Sequence, residues 1–465
     1  MNSDQADQLI QKSSLGKDWK VSGALPSKRG RLYRLRSGQK SKRILRVYDV
    51  TNQMSDQGLP ASLLRQSSSM MIRHPRIIPI HSMEMVADKG VHYLLLTMEE
   101  AVTDLKSIID DSSHLLTSKE KVAHLYHLLQ GLAYLHDQNM VHRKINPSNM
   151  LLTKKGLKCG DVQDLSLYSH HKGKHAALPL TLEQLAYTAP ELLLGHLHHK
   201  PASDMWSFGT IMHEMLLGNR AFEGKTADDV VGQIFKRLGT FDDVKEFDAF
   251  NFEPISPRKF KQNLKEDECL YGFSPKQWNA AIDLMDKCLT LKAGKRITAK
   301  EALKHPLFQM FGYSGKMEKD LTLKPPSKPK VSKDERVRML RSQWIRQGVS
   351  DIQLGHTTFH IVAHALFLFD TCLHLFDYES VEDFHSVWCS SFLLATKLLG
   401  DVKDDKAYDS LIGLICGGKN EKVLANEYHM VNFLKFHFFH VFLLRHLPVK
   451  LGLLNDSARK HRSVF

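Results

Sequence analysis

The chain has 465 residues, 42% of them hydrophobic and 25% charged, with a formal net charge of +13. This length predicts two domains, and the ordinary composition excludes a disordered or fibrous chain. The six cysteines are scattered without a C-x-x-C pair, so neither a zinc site nor a disulfide framework is expected. That cysteine usage fits a reducing compartment, which predicts a cytoplasmic or nuclear protein.

Hydrophobic periodicity changes along the chain. Over 18–97, short apolar runs such as RLYRL (31–35) and VHYLLLT (91–97) alternate with polar turns, which predicts strands. Three- and four-residue apolar spacing predicts helices over most of 118–312. A Pro/Lys-rich stretch then reads as a linker. The predicted segments are an N-terminal tail (1–17), a first domain (18–312), a linker (313–335), a helical domain (336–450) and a basic tail (451–465).

Charge and hydropathy restrict the partners. The most apolar segments, 359–376 and 430–447, carry charged and polar residues at intervals, which favours buried amphipathic helices over membrane spans. Because the basic residues are diffuse, a basic protein surface is favoured over a nucleic-acid interface. Other proteins are therefore the expected partners, and nucleic-acid binding through the linker and the ARKHR tail is the weaker alternative.

Four motifs give the first domain a family resemblance. HRKINPSN (142–149), YTAPELLLG (187–195), SDMWSFGTIMHEMLLG (203–218) and KRITAKEALKHP (295–306) resemble, in this order, protein-kinase motifs. The resemblance covers residues 18–312. It implies an α+β, bilobal protein-kinase-like fold with a β-rich lobe and a helical lobe. It also implies an architectural ion pair between Arg296 and Glu191.

Two stretches narrow the resemblance to cyclin-dependent kinases. GLPASLLRQ (58–66) resembles their cyclin-binding helix, and QIFKRLGTFDD (233–243) resembles the start of their helical-lobe insert. Residues 336–450 resemble a five-helix cyclin box, and a generic helical bundle is the alternative. Together these imply intramolecular docking between the kinase-like and cyclin-like domains through Gly58–Gln66.

The catalytic loop departs from the kinase pattern. Kinases place there an Asp that accepts the proton of the substrate hydroxyl. Lys144 occupies that position, and an ammonium group accepts no proton near neutral pH without a large fall in its pKa. Asn146 replaces the lysine that steadies the γ-phosphate. By this comparison none of the catalytic residues is intact.

The nucleotide-binding positions are only partly retained. Gly30 is the one glycine left in the loop that approaches the phosphates, and Arg46 stands where kinases have a lysine. Met98 at the gatekeeper position and the hinge residues Glu99 and Ala101 could still hold adenine through backbone contacts.

Two metal-ligand positions of the family remain. Asn149 and Asp161 match the residues that hold the metal ions in kinases. The alternative is that both persist only as hydrogen-bonding residues of the fold. No cofactor is certain on this basis, and ATP and Mg²⁺ are expected to bind weakly at most.

The functional prediction follows from the missing groups. The sequence predicts a catalytically inactive, cyclin-dependent-kinase-like pseudokinase that acts as a protein-binding scaffold or regulator. The alternative is a weakly active ATP-dependent Ser/Thr protein kinase.

Overall fold

The computed structural model divides into two compact units. The strand-rich unit comprises Met1–Ile72, Pro79–Glu100 and Thr322–Phe465, and the helical unit comprises Arg73–Ile78 and Ala101–Leu321. The residues that the structure describes are 3–16, 18–25, 31–38, 41–51, 72, 74–111, 115–161, 166–167, 181–196, 199–239, 260, 264, 272–318, 365, 368–369, 381–399, 423, 425–426 and 430.

A five-stranded antiparallel sheet forms the centre of the strand-rich unit. Its spatial order is β1-β2-β3-β5-β4. Leu35, Leu45 and Leu95 are buried on one face, as the alternating pattern requires. The strands are β1 (Lys20–Leu25), β2 (Arg31–Ser37), β3 (Ser41–Asp49), β4 (Ile80–Asp88) and β5 (Val91–Glu99).

The N-terminus contains a helix where the sequence analysis expects a tail. Helix α1 (Ser3–Lys12) packs into the same core as the sheet. Its buried residues Ala6, Leu9 and Ile10 are at most 1% exposed. They follow three- and four-residue spacing, but a single apolar turn among polar residues is a weak signal in the sequence. The strand-rich core therefore begins before residue 18.

The helical unit is built around two buried helices. A capping box formed by Thr117 and Glu120 begins α3, and α6 is buried continuously from Ser203 to Leu216. The helices of this unit are α2 (Leu105–Asp110), α3 (Ser118–Asp137), α4 (Leu182–Leu185), α5 (Pro190–Leu193), α6 (Pro201–Leu217), α7 (Ala227–Leu238), α8 (Pro275–Cys288), α9 (Ala299–Leu303) and α10 (Pro306–Met310).

In the helical unit, short strands flank the loops that contain the candidate site. They form a three-stranded sheet of order β6-β8-β9 and a two-stranded sheet of β10 with β7. The strands are β6 (Thr103–Asp104), β7 (Met140–Val141), β8 (Met150–Thr153), β9 (Gly156–Cys159) and β10 (Ser166–Leu167). With a strand-rich and a helical unit present, the predicted α+β, kinase-like fold class is confirmed.

The predicted C-terminal domain is described only in part. Helix α11 (Val381–Leu399) lies in it, and Ser390 on this helix donates a hydrogen bond to the carbonyl of Val423 at 2.7 Å. Most of 336–450, most of the linker and all of 451–465 lie outside the described residues. Across the residues that are described, no helix combines the length and apolar character needed to cross a membrane.

Candidate active site

The loop that follows β7 is fixed by a buried carboxylate on α6. Asp204, 1% exposed, accepts hydrogen bonds from the backbone N–H groups of His142 at 2.8 Å and Arg143 at 3.0 Å. His136 Nε2 lies 3.0 Å from the same carboxylate. Burial alone would raise the pKa of Asp204, but these imidazole and backbone partners hold it below its ordinary value. The loop is therefore tied to the helical core by a charged group.

Three of the predicted site residues meet within this loop. The carbonyl of Lys144 accepts hydrogen bonds from Asn149 Nδ2 at 2.9 Å and Asn146 Nδ2 at 3.4 Å. Asn146 Oδ1 in turn accepts from the backbone N–H of Asn149 at 3.1 Å. Asn146 is buried and caps the 3₁₀ turn Pro147–Asn149. It is therefore a structural residue of the loop at the position where kinases have a lysine.

Two further hydrogen bonds fix Gly160, the residue before Asp161. The N–H of Gly160 donates to the carbonyl of Asn149 at 2.8 Å, and His142 Nε2 lies 2.9 Å from the carbonyl of Gly160. A Cβ at Gly160 would lie 2.7 Å from a methyl of Leu151, so a larger residue here would force the Leu151 side chain to shift. Asp161 follows at a φ of +50° and is half-buried.

Asn149 and Asp161 suit a magnesium ion by their chemistry. The side-chain N–H of Asn149 donates to the carbonyl of Lys144. Its amide oxygen is therefore the atom that would ligate a metal ion. A carboxylate and an amide oxygen are hard donors of the kind that Mg²⁺ takes together with substrate phosphates. Among the described residues, no group of three or more His, Cys, Asp or Glu side chains could hold a metal by itself. The two side chains offer hard oxygen donors of the kind that Mg²⁺ takes together with the phosphates of a nucleotide.

The predicted nucleotide-binding residues fall in both units. Within the strand-rich unit, β3 pairs with β5 so that Arg46 lies opposite Leu96, two residues before Met98. Glu99 donates its N–H to the carbonyl of Pro79 at 3.3 Å. Ala101 belongs to the helical unit, just before β6. Gly30 and the predicted docking segment Gly58–Gln66 lie outside the described residues.

A pocket that the sequence analysis does not anticipate opens beside the loop. Lys144 lines it together with Arg143 and with Gln184 and Thr188 from the segment before α5. Its volume is about 30 Å³. In the sequence, the residues before A-P-E identify this segment. They do not indicate which of its side chains face the loop.

Tyr187 anchors this lining segment. Its hydroxyl donates to Glu214 on α6 at 2.5 Å, and its carbonyl accepts from Ser207 Oγ at 2.7 Å. Burial, with the charge of Glu214 beside it, raises the pKa of Tyr187, so the phenol stays neutral.

The predicted ion pair between Glu191 and Arg296 is confirmed. The guanidinium donates through Nη1 and Nη2 to the two carboxylate oxygens at 2.7 and 2.6 Å. The Arg296 side chain is fully buried, and that of Glu191 is 17% exposed. The bidentate geometry of this ion pair fixes the start of α5 against the segment that carries Arg296.

Comparison with known proteins identifies the family. A model of the protein kinase domain matches residues 45–308, more than half of the chain. Cyclin-dependent kinase 11B of Mus musculus is 29% identical over 71% of this chain and 42% of its own length. Cyclin-dependent kinase G-1 of Oryza sativa subsp. indica is 31% identical over 60% of this chain and 40% of its own length. The chain thus spans about two fifths of the length of these relatives.

These matches overturn one functional prediction. The expectation that the chain is not an enzyme treated substituted catalytic positions as proof of lost activity. The prediction is wrong, because the domain is that of protein kinases and the matched relatives carry the name of kinases. The cyclin-dependent-kinase resemblance, in contrast, is confirmed. The chain belongs to the protein kinase domain family.

Proposed function

We propose that the chain is an ATP-dependent Ser/Thr protein kinase of the cyclin-dependent type, with a low turnover number. The observation that supports this most is the hydrogen bond from the N–H of Gly160 to the carbonyl of Asn149, which ties the residue before Asp161 to the loop that carries Asn149. Asn149 and Asp161 would hold Mg²⁺, which would supply positive charge to neutralise the phosphates of ATP during the transfer.

Lys144 replaces the general base of the family, but the largest contributions to the rate acceleration do not depend on that base. Phosphoryl transfer passes through a loose transition state, so positioning and charge neutralisation supply most of the catalysis. General-base catalysis contributes about 10²–10⁴-fold. We assign Lys144 to neutralising charge on the transferring group, while the substrate hydroxyl loses its proton to solvent.

A phosphotransfer assay tests this function. Purified protein would be incubated with γ-labelled ATP, Mg²⁺ or Mn²⁺ and a Ser/Thr-containing acceptor protein. Asp161→Asn should abolish labelling, and the matched Asp110→Asn change on the exposed end of α2 should leave it intact. Absence of labelling with either metal would contradict the proposal. Labelling that persists in Asp161→Asn would also contradict it.

We further propose that residues 336–450 form a cyclin-like domain that docks in cis on Gly58–Gln66, across the part of the predicted linker that follows Glu318. The names of the matched relatives support this, because they describe those proteins as cyclin-dependent. A tether of about twenty residues would raise the effective concentration of the two surfaces to roughly millimolar.

Cleavage of the linker tests this docking. A protease site inserted between residues 321 and 335 would be cut, and the two fragments examined by gel filtration. Co-elution of the fragments is expected, and it should be lost when Leu63 and Leu64 are both changed to Asp. Separation of the wild-type fragments would contradict cis docking. Co-elution that survives the double change would exclude Gly58–Gln66 as the docking surface.

A further inference from the structure

The residues after α10 form an ordered strap along α3, although the sequence analysis assigns them to the linker. Within this strap (Tyr313–Glu318), the ring of Tyr313 stacks on Tyr126 with centroids 4.2 Å apart. The fully buried amide of Gln130 donates to the carbonyl of Lys316 at 2.7 Å and accepts from the N–H of Glu318 at 2.8 Å. A helix side chain thus satisfies the backbone of the strap at two points, which defines its register.

The strap ends in a two-pronged ion pair with Arg76. Arg76 Nε lies 2.9 and 3.0 Å from the two oxygens of Glu318, and Nη2 lies 2.6 Å from one of them. The side chains are 14% and 30% exposed, respectively. In this geometry the carboxylate of Glu318 both attracts the guanidinium and fixes its orientation. A lysine in place of Arg76 would keep the attraction but not the orientation.

Arg76 in turn holds both ends of β9. Its Nη1 donates to the carbonyl of Lys155, immediately before the strand, at 2.7 Å. Its carbonyl accepts from the N–H of Cys159, the last residue of the strand, at 2.9 Å. The carbonyl of Cys159 accepts from the N–H of Ile78, also at 2.9 Å. One residue therefore fixes the two ends of the strand that leads into Gly160.

Asp161 needs such support because of its backbone. A non-glycine residue at a φ of +50° occupies a sparsely populated region. Such conformations persist when the surrounding contacts determine them. Gly160, held by the carbonyl of Asn149 on one side and β9 on the other, transmits that constraint to Asp161.

We propose that Arg76 and Glu318 are positioning residues that set the orientation of Asp161 toward the metal ion accompanying ATP. This inference rests on the proposed kinase function. Neither residue touches the site. They act through β9, so the strap is mechanically coupled to the metal-ligand pair. Release of the strap would loosen the metal site without removing a ligand.

The first measurement is made on the full chain without metal or nucleotide. Hydrogen exchange of the Gly160 amide reports its bond to Asn149 directly. Arg76→Lys, which keeps the charge but loses the fork, and Glu318→Gln should each speed this exchange about three- to tenfold. The double variant should be no faster than either single one, because both changes break the same path. Unchanged exchange in the variants would overturn the inference, whatever the protein does with ATP.

The second measurement links the strap to metal binding. The half-saturating Mg²⁺ concentration for ATP-induced thermal stabilisation should rise about three- to tenfold in Arg76→Lys. The metal-free binding of ATP should stay the same, and Asp110→Asn serves as the control. An unchanged Mg²⁺ requirement beside faster Gly160 exchange would refute the coupling. If the wild type showed no metal-dependent shift, the proposed function would fail, and the metal-free exchange would still decide the role of the strap.

Discussion

Removal of Glu191 should destabilise the helical unit strongly, because it leaves a buried guanidinium without its counter-charge. The Arg296 side chain has no exposed surface, and its distances to the two carboxylate oxygens are 2.7 and 2.6 Å. Breaking a buried pair by removing one partner costs about 3–5 kcal/mol. The carbonyls of Thr290, Leu291 and Ala202 still accept from the guanidinium. We therefore expect Glu191→Ala to cost about 3 kcal/mol, at the lower end of that range.

An exposed pair of the same chemistry provides the control. Arg34 Nε lies 2.9 Å from Glu100 Oε1, but the two side chains are 51% and 20% exposed. Surface pairs of this kind contribute at most about 1 kcal/mol, so Glu100→Ala should have little effect. Native-state hydrogen exchange in α6 would report the first change, and exchange in β5 the second. A loss of protection for Glu191→Ala no larger than that for Glu100→Ala would refute the anchoring role of the buried pair.

Three further predictions concern other parts of the chain. Gly160→Ala would place a Cβ 2.7 Å from Leu151, so it should cost about 1–3 kcal/mol and weaken Mg²⁺-dependent ATP binding, both measurable by thermal melting. Burial lowers the pKa of His74 to about 4, so its stabilising effect is present above pH 6.5 and lost as the pH falls from 6.5 to 4. His74→Phe should flatten the stability–pH curve over that window by about 3 kcal/mol in urea titrations, and an unchanged slope would contradict a neutral buried imidazole. Leu9→Ala should cost about 2–5 kcal/mol, against less than about 0.5 kcal/mol for exposed Gln11→Ala, and equal costs in chemical denaturation would mean that α1 is not part of the core.

Local patterns and family motifs predicted a large part of this protein. Short apolar runs that alternate with polar turns predicted strands such as RLYRL and VHYLLLT. Both lie in the sheet, where burial alternates at Tyr33 and Leu35 but is continuous from Leu94 to Thr97. The Glu191–Arg296 pair was predictable because each residue lies in a recognisable motif, although 105 positions separate them. In both cases the prediction depended on residues that are close to one another in the sequence, within one strand or one motif.

The missed features depend on distant partners. The strap has the glycine and lysine content of a linker, and its order comes from Gln130 and Arg76, which are 188 and 242 positions from Glu318. Helix α1 was missed because its single apolar turn has meaning only against the sheet it covers. Likewise, the sequence shows that Asn146 replaces the kinase lysine. Only the fold shows that it caps the 3₁₀ turn Pro147–Asn149.

The central claim is that Asn149 and Asp161 form a metal site that serves ATP. It is tested most directly by titrating ATP into the protein with Mg²⁺ and with chelator, and comparing wild type with Asp161→Asn by calorimetry. We expect metal-dependent binding in the wild type and loss of the metal dependence in the variant. Binding that is independent of metal in both proteins would contradict the metal site, and so would the absence of binding in the wild type.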